Sequence, residues 1–174
     1  MNKENKREKI FYIIMAIFYA LCPVGFFFDV FKYKITKATG DGTGKTFIEY
    51  YNILEIGDKR VLPAIVGVAF MVVSLIVAIC IIADLINGKF YRTDIKVLTG
   101  VSMILLACIA SRFTIYLAII LFMTICFNLF ILSFDLKLNA KDNQVKSNNV
   151  IIYVPMYVIF LLMLLCGLTF FGLW

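Results

Sequence analysis

A segment from Lys37 to Thr46, KATGDGTGKT, ends in the Gly-Lys-Thr of a phosphate-binding loop. Such a loop needs a glycine, four more residues and then Gly-Lys-Ser or Gly-Lys-Thr, because the glycines let backbone N–H groups surround the phosphates while the lysine reaches them. The required first glycine falls on Thr39, so the pattern fails. The segment also lacks the preceding buried strand and following helix of that loop. The sequence therefore predicts no nucleotide-binding site.

Other catalytic and metal-binding residue types are equally scarce. The chain contains no histidine, which excludes histidine-ligated haem and zinc and the histidine-dependent nucleophilic triads. Its cysteines stand singly in separate apolar runs without a Cys-x-x-Cys pair, which favours small buried apolar side chains over a metal or disulfide framework. They are Cys22, Cys80, Cys108, Cys126 and Cys166. We predict no catalytic residue, no cofactor and no metal.

The composition indicates a membrane protein. Hydrophobic residues make up 63% of the 174 residues and charged residues 16%, and the apolar share lies well above that of soluble domains. The apolar runs are long and do not alternate, so they predict helices rather than barrel strands. The net charge of +6 comes from Lys and Arg that lie mostly between these runs, where they are typical of topology and lipid-headgroup signals rather than of nucleic-acid binding.

We predict an all-α integral membrane protein with a bundle of five transmembrane helices. A span needs about 20 apolar residues. The predicted spans are 10–28, 61–86, 90–111, 113–134 and 150–174, with an extracytoplasmic loop at 29–60 and a flexible cytoplasmic linker at 135–149. Because the third run is short, four spans plus a re-entrant third segment is the alternative.

Arg112 separates the third span from the fourth. A single helix from Val97 to Phe134 would be about 57 Å long, nearly two bilayers. It would also hold a guanidinium group at mid-membrane, at a cost of several kcal/mol. We therefore expect a tight turn at Ser111 and Arg112.

The distribution of positive charge predicts a cytoplasmic N-terminus and an extracytoplasmic C-terminus at Trp174. The cytoplasmic side then holds Lys3, Lys6, Arg7, Lys9, Lys89, Arg92, Lys96, Lys137, Lys141 and Lys146, and the outer side holds Lys32, Lys34, Lys37, Lys45, Lys59, Arg60 and Arg112. The richness in Lys, Ile, Asn and Phe favours the plasma (cytoplasmic) membrane of a bacterium.

The outer loop has the pattern of a small β-hairpin between the first two spans. Residues Phe31 to Thr36 alternate between apolar and polar, and Phe47 to Ile53 are rich in strand-forming residues. The glycines and Asp of Thr39 to Gly44 suit the strand reversal between them. Glu49 is expected to pair across the hairpin with Lys32 or Lys34.

The hairpin carries four aromatic residues, Phe31, Tyr33, Tyr50 and Tyr51, which we expect to form one face. A two-stranded hairpin is marginally stable alone, so this face should rest on something. One interpretation is that it packs on the outer helix ends and the headgroups. The other is that it docks a partner protein, because exposed tyrosines and open strand edges are common docking elements.

Three residues are candidates for polar contacts within the membrane: Asp84, Thr124 and Asn128. Asp84 is expected to pair with Lys89 or Arg92 at the cytoplasmic interface, with a proton relay as the alternative. Thr124 and Asn128 are expected to hydrogen-bond between helices, with a substrate path as the alternative. Asp29 and Asp84 belong to opposite leaflets and so cannot form the carboxylate pair of an intramembrane protease.

Three classes of function remain. Sparse catalytic groups and the tyrosine-rich hairpin favour a non-enzymatic accessory, assembly or regulatory subunit that binds another membrane protein or further copies of itself. Small residues that permit close helix packing point the same way, namely Gly67, Gly100, Ala107, Ser111 and Gly167. The alternative is a small transporter or channel that acts as an oligomer, because five helices with few polar residues cannot easily surround a wet path. An enzyme of lipids or peptides is the third class.

Overall fold

The computed structural model describes residues 3–38, 44–88, 93–109, 114–138 and 143–169. Within these ranges the chain is mostly helical and includes one two-stranded antiparallel sheet. The elements are α1 (Lys3–Gly25), β1 (Phe31–Ala38), β2 (Gly44–Tyr51), α2 (Ile53–Lys59), α3 (Val61–Asn87), α4 (Thr93–Cys108), α5 (Ile115–Leu138) and α6 (Asn143–Thr169). The helical fold and the hairpin between the first two long helices agree with the sequence prediction.

Two helices in the described part of the chain are long and apolar enough to cross a membrane, α3 at Val61–Asn87 and the segment Ile115–Ser133 of α5. In α3, Pro63 lies in the first turn. Backbone N–H groups there have no intrahelical acceptor, so a proline costs no helical hydrogen bond. Gly88 ends the helix with φ of 64°, a left-handed conformation that glycine adopts without strain. The apolar parts of α1 and α6, Lys9–Gly25 and Tyr153–Cys166, are shorter.

Consecutive long helices from α1 to α5 run antiparallel, as two hydrophobic clusters show. The hairpin-side cluster consists of Cys22, Phe26, Val30, Phe31, Tyr33, Ile53, Ile56, Phe70, Leu106, Ile109, Leu117 and Ile120. The distal cluster consists of Tyr12, Met15, Ala16, Tyr19, Val77, Ala78, Ile81, Ile95, Phe127 and Ile131. The C-terminal parts of α1 and α4 and the N-terminal parts of α3 and α5 meet in the first cluster, and the opposite ends of the same helices meet in the second.

The last helix, α6, packs in parallel with α4. Met103 and Ala107 of α4 form a third buried cluster with Phe160 of α6. One to two turns earlier on each helix, a Cβ atom at Gly100 would lie 1.8 Å from the sulfur of Met156. The missing side chain of Gly100 is therefore what lets α6 approach α4 so closely.

Helices α4 and α5 are separate, as the sequence predicts from Arg112. The turn expected at Ser111 and Arg112 lies outside the described residues. Helix α4 has 16 residues, which gives a length of about 24 Å at the helical rise of about 1.5 Å per residue. This length is shorter than the predicted span 90–111, and it is less than the hydrocarbon thickness of about 30 Å.

The predicted flexible linker at 135–149 is mostly helical. Helix α5 continues to Leu138 and α6 begins at Asn143. The prediction was wrong here because polar residues end an apolar run without ending a helix. Lys, Asn and Gln continue a helix at a modest cost in propensity, and neither proline nor glycine occurs in this stretch.

The short helix α2 is absent from the sequence prediction, which treated Ile53 as part of a strand. Its N-cap is Asn52, whose side-chain oxygen accepts hydrogen bonds from the backbone N–H groups of Leu54 and Glu55, both at 3.0 Å. The Asn-x-x-Glu spacing of Asn52 and Glu55 resembles a capping box and was the available signal. Ile53 and Ile56 of α2 are buried in the hairpin-side cluster.

Gly67 lies where α3 meets α2 and the hairpin. A Cβ atom there would lie 2.6 Å from Cδ1 of Ile53, with the rings of Phe31 and Phe26 at 3.3 and 3.5 Å. We expect Gly67→Leu to reduce the free energy of unfolding by about 1–3 kcal/mol through overpacking. Thermal unfolding of the purified protein in detergent measures the change.

Gly57→Leu is the matched control, because nothing lies within 4 Å of a Cβ atom at Gly57. Its midpoint should equal or exceed that of the wild type, since leucine has the higher helix propensity. Equal midpoints for the two variants would contradict the packing described at Gly67.

Candidate functional site

A series of side-chain hydrogen bonds connects α4, α5 and α6 in the middle of the bundle. The Tyr157 hydroxyl of α6 donates to Oδ1 of Asn128 at 2.6 Å, and Nδ2 of Asn128 donates to Oγ1 of Thr99 at 3.0 Å. Thr99 can accept this bond because its own hydroxyl hydrogen goes back to the backbone carbonyls of Ile95 and Lys96. Asn128 thus joins α4, α5 and α6.

This series of hydrogen bonds extends from α4 to α1. Oγ of Ser102 donates to the carbonyl of Thr99 at 2.7 Å and lies 3.3 Å from the Tyr19 hydroxyl. Since the hydrogen of Ser102 is already used, Tyr19 donates this bond. All three residues are fully buried. Sequence reasoning missed Tyr19, Thr99, Ser102 and Tyr157, because it examined each polar residue within its own helix rather than across helices.

The three predicted intramembrane residues are all buried, but they do not form one site. Thr124 donates to the carbonyl of Ile120 in its own helix at 2.8 Å, while Asn128 one turn later bonds across helices. Asp84 lies far along α3, one turn beyond Ile81 of the distal cluster. Lys89 and Arg92, its expected partners, lie outside the described residues, and Lys96 on the packed helix α4 is also buried.

The hairpin register pairs Phe31 with Tyr51 and Lys32 with Tyr50, and continues to Ala38 opposite Gly44. Glu49 does not pair with Lys32 or Lys34 as expected. Its carboxylate lies 3.2 Å from Nζ of Lys37. The register explains the correction, because Glu49 stands opposite Tyr33, and side chains two apart on a strand share a face. Lys37 is on the face of Glu49, whereas Lys32 and Lys34 point to the other.

The same register places the four predicted docking aromatics on two different faces of the hairpin. Phe31, Tyr33 and Tyr51 share one face, and Tyr50 lies on the opposite face, so the expected single aromatic face is wrong. Phe31 and Tyr33 are buried in the hairpin-side cluster, and the rings of Tyr33 and Tyr51 meet edge to face at 5.9 Å. This face of the hairpin base therefore packs on the helix ends. The Tyr51 hydroxyl donates to Glu49, which raises the pKa of Tyr51 above its ordinary value.

The opposite face of the hairpin is open. Tyr50 is 50% exposed and its neighbour on that face, Ile48, is 48% exposed. Lys34 is their exposed cationic neighbour on β1, directly opposite Ile48. We call Lys34, Ile48 and Tyr50 the open hairpin face. It combines apolar, aromatic and cationic side chains that the fold leaves without a packing role.

Two clefts flank the base of the hairpin. The first has a volume of about 220 Å³ and is lined by Tyr33, Lys34, Ile35, Tyr51 and Arg60. The second has a volume of about 410 Å³ and is lined by Asp29, Lys32, Tyr50, Thr114, Ile115 and Tyr116. Within the described ranges, Cys, Asp and Glu form no group of three that could hold a metal ion. The polar side chains that line the two clefts can bind a ligand through charge and hydrogen bonds.

The Asn128–Tyr157 hydrogen bond should contribute measurably to stability. We expect Asn128→Ala and Tyr157→Phe each to lower the free energy of unfolding, with a coupling energy between them of about 0.6 kcal/mol and at most about 1.7 kcal/mol, the range measured for hydrogen bonds between membrane helices. A double-mutant cycle by unfolding in detergent measures this coupling.

Ser133→Ala is the control for this cycle. Its hydroxyl is exposed and donates to the carbonyl of Phe130 in its own helix, so removing it should change the unfolding free energy by less than about 0.5 kcal/mol. Strictly additive losses for Asn128→Ala and Tyr157→Phe would show that the two side chains do not interact.

A comparison of the chain with protein-family models, with curated proteins and with solved structures found no match. The assignment of function therefore rests on the residues of this chain alone, on the hydrogen-bonded interior and on the hairpin with its two clefts.

Proposed function

We propose that this chain is a five-span membrane protein of the bacterial plasma membrane. The distribution of side chains supports it. Large apolar residues are exposed on the outer surfaces of α1, α3, α5 and α6, for example Ile17, Leu21, Ile65, Val72, Ile119 and Leu162. The described interior holds buried polar residues that bond to one another. An apolar exterior, together with buried polar groups that hydrogen-bond to one another, suits hydrocarbon as the solvent.

The proposed orientation has the N-terminus in the cytoplasm and the hairpin outside. The antiparallel order of the helices brings residues 26–38 and 44–60, the end of α4 and the start of α5 to one end of the bundle. The N-terminal part of α1, the end of α3 with the start of α4, and the end of α5 with the start of α6 then lie at the other end. Ten Lys and Arg residues fall at the second end and seven at the first, which favours a cytoplasmic N-terminus by the positive-inside rule.

We further propose that the protein is a non-enzymatic accessory, assembly or regulatory subunit of a larger membrane complex. The observation that carries this proposal is the difference in burial between the two faces of the hairpin. At the base of the hairpin one face is buried against the helix ends, while Lys34, Ile48 and Tyr50 remain exposed on the other. A rigidly anchored strand pair with an open tyrosine-containing face is a common form of protein-docking element.

Transport is the alternative function, and the interior contacts argue against it. Thr99, Asn128 and Tyr157 satisfy one another's hydrogen-bonding groups, whereas residues that line an aqueous path need groups that remain available to water or substrate. These bonds support a role in helix packing. Transport would then require an oligomer in which several copies of the protein surround a shared path.

The topology proposal predicts that position 112 faces the outside. In a variant lacking the native cysteines, Arg112→Cys should react with a membrane-impermeant thiol reagent added to intact cells, because the positive-inside pattern puts the α4–α5 connection on the outer side. Lys141→Cys is the matched control and should react only after the cells are opened. Protection at position 112 in intact cells would rule out the five-span orientation.

The docking proposal predicts that the open hairpin face holds a partner. Tagged purification in mild detergent at native expression level, followed by mass spectrometry, should recover a stoichiometric partner, or further copies of this chain, from the wild type. The double variant Ile48→Ser, Tyr50→Ser should lose most of it, because exposed aromatic and apolar anchors dominate such interfaces.

Leu54→Ser is the control for docking, since Leu54 is 71% exposed on α2 and lies outside the open hairpin face. It should retain the partner, and both variants should reach the membrane at wild-type levels. Undiminished partner recovery with the double variant would remove the docking role.

A further inference from the structure

The larger cleft lies between the base of the hairpin and the start of α5. Its volume of about 410 Å³ falls in the usual range of small-molecule sites, about 300–1,000 Å³. It draws residues from three separate parts of the chain: Asp29 before β1, Lys32 and Tyr50 from paired positions of the two strands, and Thr114 to Tyr116 at the beginning of α5.

Asp29 and Lys32 carry opposite charges and line this same cleft, yet no ion pair joins them. Among the described residues, neither side chain makes a hydrogen bond or ion pair with any other. Two opposite charges that share a cleft without contact leave room between them for a ligand that carries both charges. Such a ligand would place its anion at Lys32 and its cation at Asp29.

The side of the cleft formed by α5 also favours an anion. The carbonyl of Thr114 accepts from the N–H of Ala118 at 3.1 Å, so the helix begins here. Its first N–H groups lack intrahelical acceptors and carry partial positive charge. An anionic oxygen between Lys32 and this helix start would meet the lysine ammonium group and the free N–H groups together.

The rim of the cleft is apolar and faces outward. Ile115 is 82% exposed, and Phe28, next to Asp29, is 67% exposed. In the proposed membrane arrangement this rim lies at the boundary between the outer headgroups and the hydrocarbon. A ligand with a zwitterionic head and an apolar tail would match the charges within the cleft and the apolar residues at its edge.

We infer that this cleft binds the phosphoethanolamine headgroup of a membrane phospholipid, with the phosphate at Lys32 and the start of α5 and the ammonium group at Asp29. The inference rests on the proposed membrane location but not on the proposed partner. The primary ammonium group distinguishes this headgroup from phosphoglycerol, which has no cation, and from phosphocholine, whose methylated nitrogen cannot donate a hydrogen bond to Asp29.

Native mass spectrometry of the protein purified in non-ionic detergent tests this inference. Equal amounts of phosphatidylethanolamine, phosphatidylglycerol and phosphatidylcholine with the same acyl chains are added. The wild type should retain phosphatidylethanolamine about tenfold more than either of the others, since a hydrogen bond to a charged group is worth about 1.5–3 kcal/mol and tenfold is about 1.4 kcal/mol. Asp29→Asn should abolish this preference, and Lys32→Ala should weaken the retention of all three lipids.

Lys45→Ala is the matched control, because Lys45 is an exposed lysine of the same hairpin that lines neither cleft and lies outside the open hairpin face. It should retain lipids as the wild type does, and all variants should share the wild-type elution profile and thermal midpoint. Equal retention of the three lipids by the wild type, or an unchanged preference in Asp29→Asn, would overturn the inference. So would an equal loss in Lys45→Ala, which would indicate a diffuse charge effect.

Competition with water-soluble glycerophosphoethanolamine distinguishes a lipid ligand from a soluble ligand that carries the same headgroup. The lipid should resist displacement by the soluble compound at equal concentration, because its acyl chains contact the apolar rim. Displacement at equal concentration would overturn the assignment to a lipid in favour of a soluble phosphoamine. Partner recovery with the open hairpin face variants is measured separately, so failure of lipid binding and failure of the docking role are distinguishable.

Discussion

The two hydrogen bonds of Asn128 determine how the last three helices meet. A buried amide costs free energy unless its oxygen and nitrogen both find partners, and here Tyr157 supplies the donor and Thr99 the acceptor. Because both partners must reach the amide at the same time, α4 and α6 are constrained in their rotation about the helix axis and in their position along it. Gly100 makes this geometry possible because any side chain there would collide with Met156. The third cluster, in which Met103 and Ala107 of α4 pack on Phe160 of α6, lies beside that close approach.

The hairpin depends on the bundle in a comparable way. Two strands alone are marginally stable, and Phe31 and Tyr33 bury their rings against the ends of the helices and against α2. This attachment uses one face of the hairpin base. The alternation of side chains along a strand then necessarily turns Tyr50, Ile48 and Lys34 the other way. The surface proposed for docking is thus a consequence of how the hairpin is anchored.

The two proposed binding surfaces share the same end of the molecule. Tyr50 belongs to the open hairpin face and also lines the larger cleft, so a headgroup in that cleft would contact the side chain that a partner is proposed to recognise. Lipid and partner would then influence each other's binding through one residue. An accessory subunit with this arrangement would present a surface whose details depend on the surrounding membrane.

The local sequence was sufficient for the elements that depend on short-range patterns. The apolar runs located the long helices, and the Gly-rich turn between two strand-forming segments located the hairpin. Where the pattern was ambiguous, prediction failed: Asn52 began a helix that was treated as a strand, and the polar residues 135–138 and 143–149 belong to two helices where a linker was expected. Composition shows where a segment is apolar, but capping and propensity decide where a helix stops.

The sites depended on distances that no single segment contains. The sequence by itself determined that Asn128 and Thr124 would be buried polar groups and that four aromatic residues would occupy the hairpin. Only the tertiary structure decided that Asn128 bonds to Thr99 and Tyr157, that Glu49 pairs with Lys37, and that Asp29 and Lys32 share a cleft with the start of α5. The physical reason is that burial follows from local composition, whereas partner choice depends on the rotation and register of helices and strands that lie far apart in the chain.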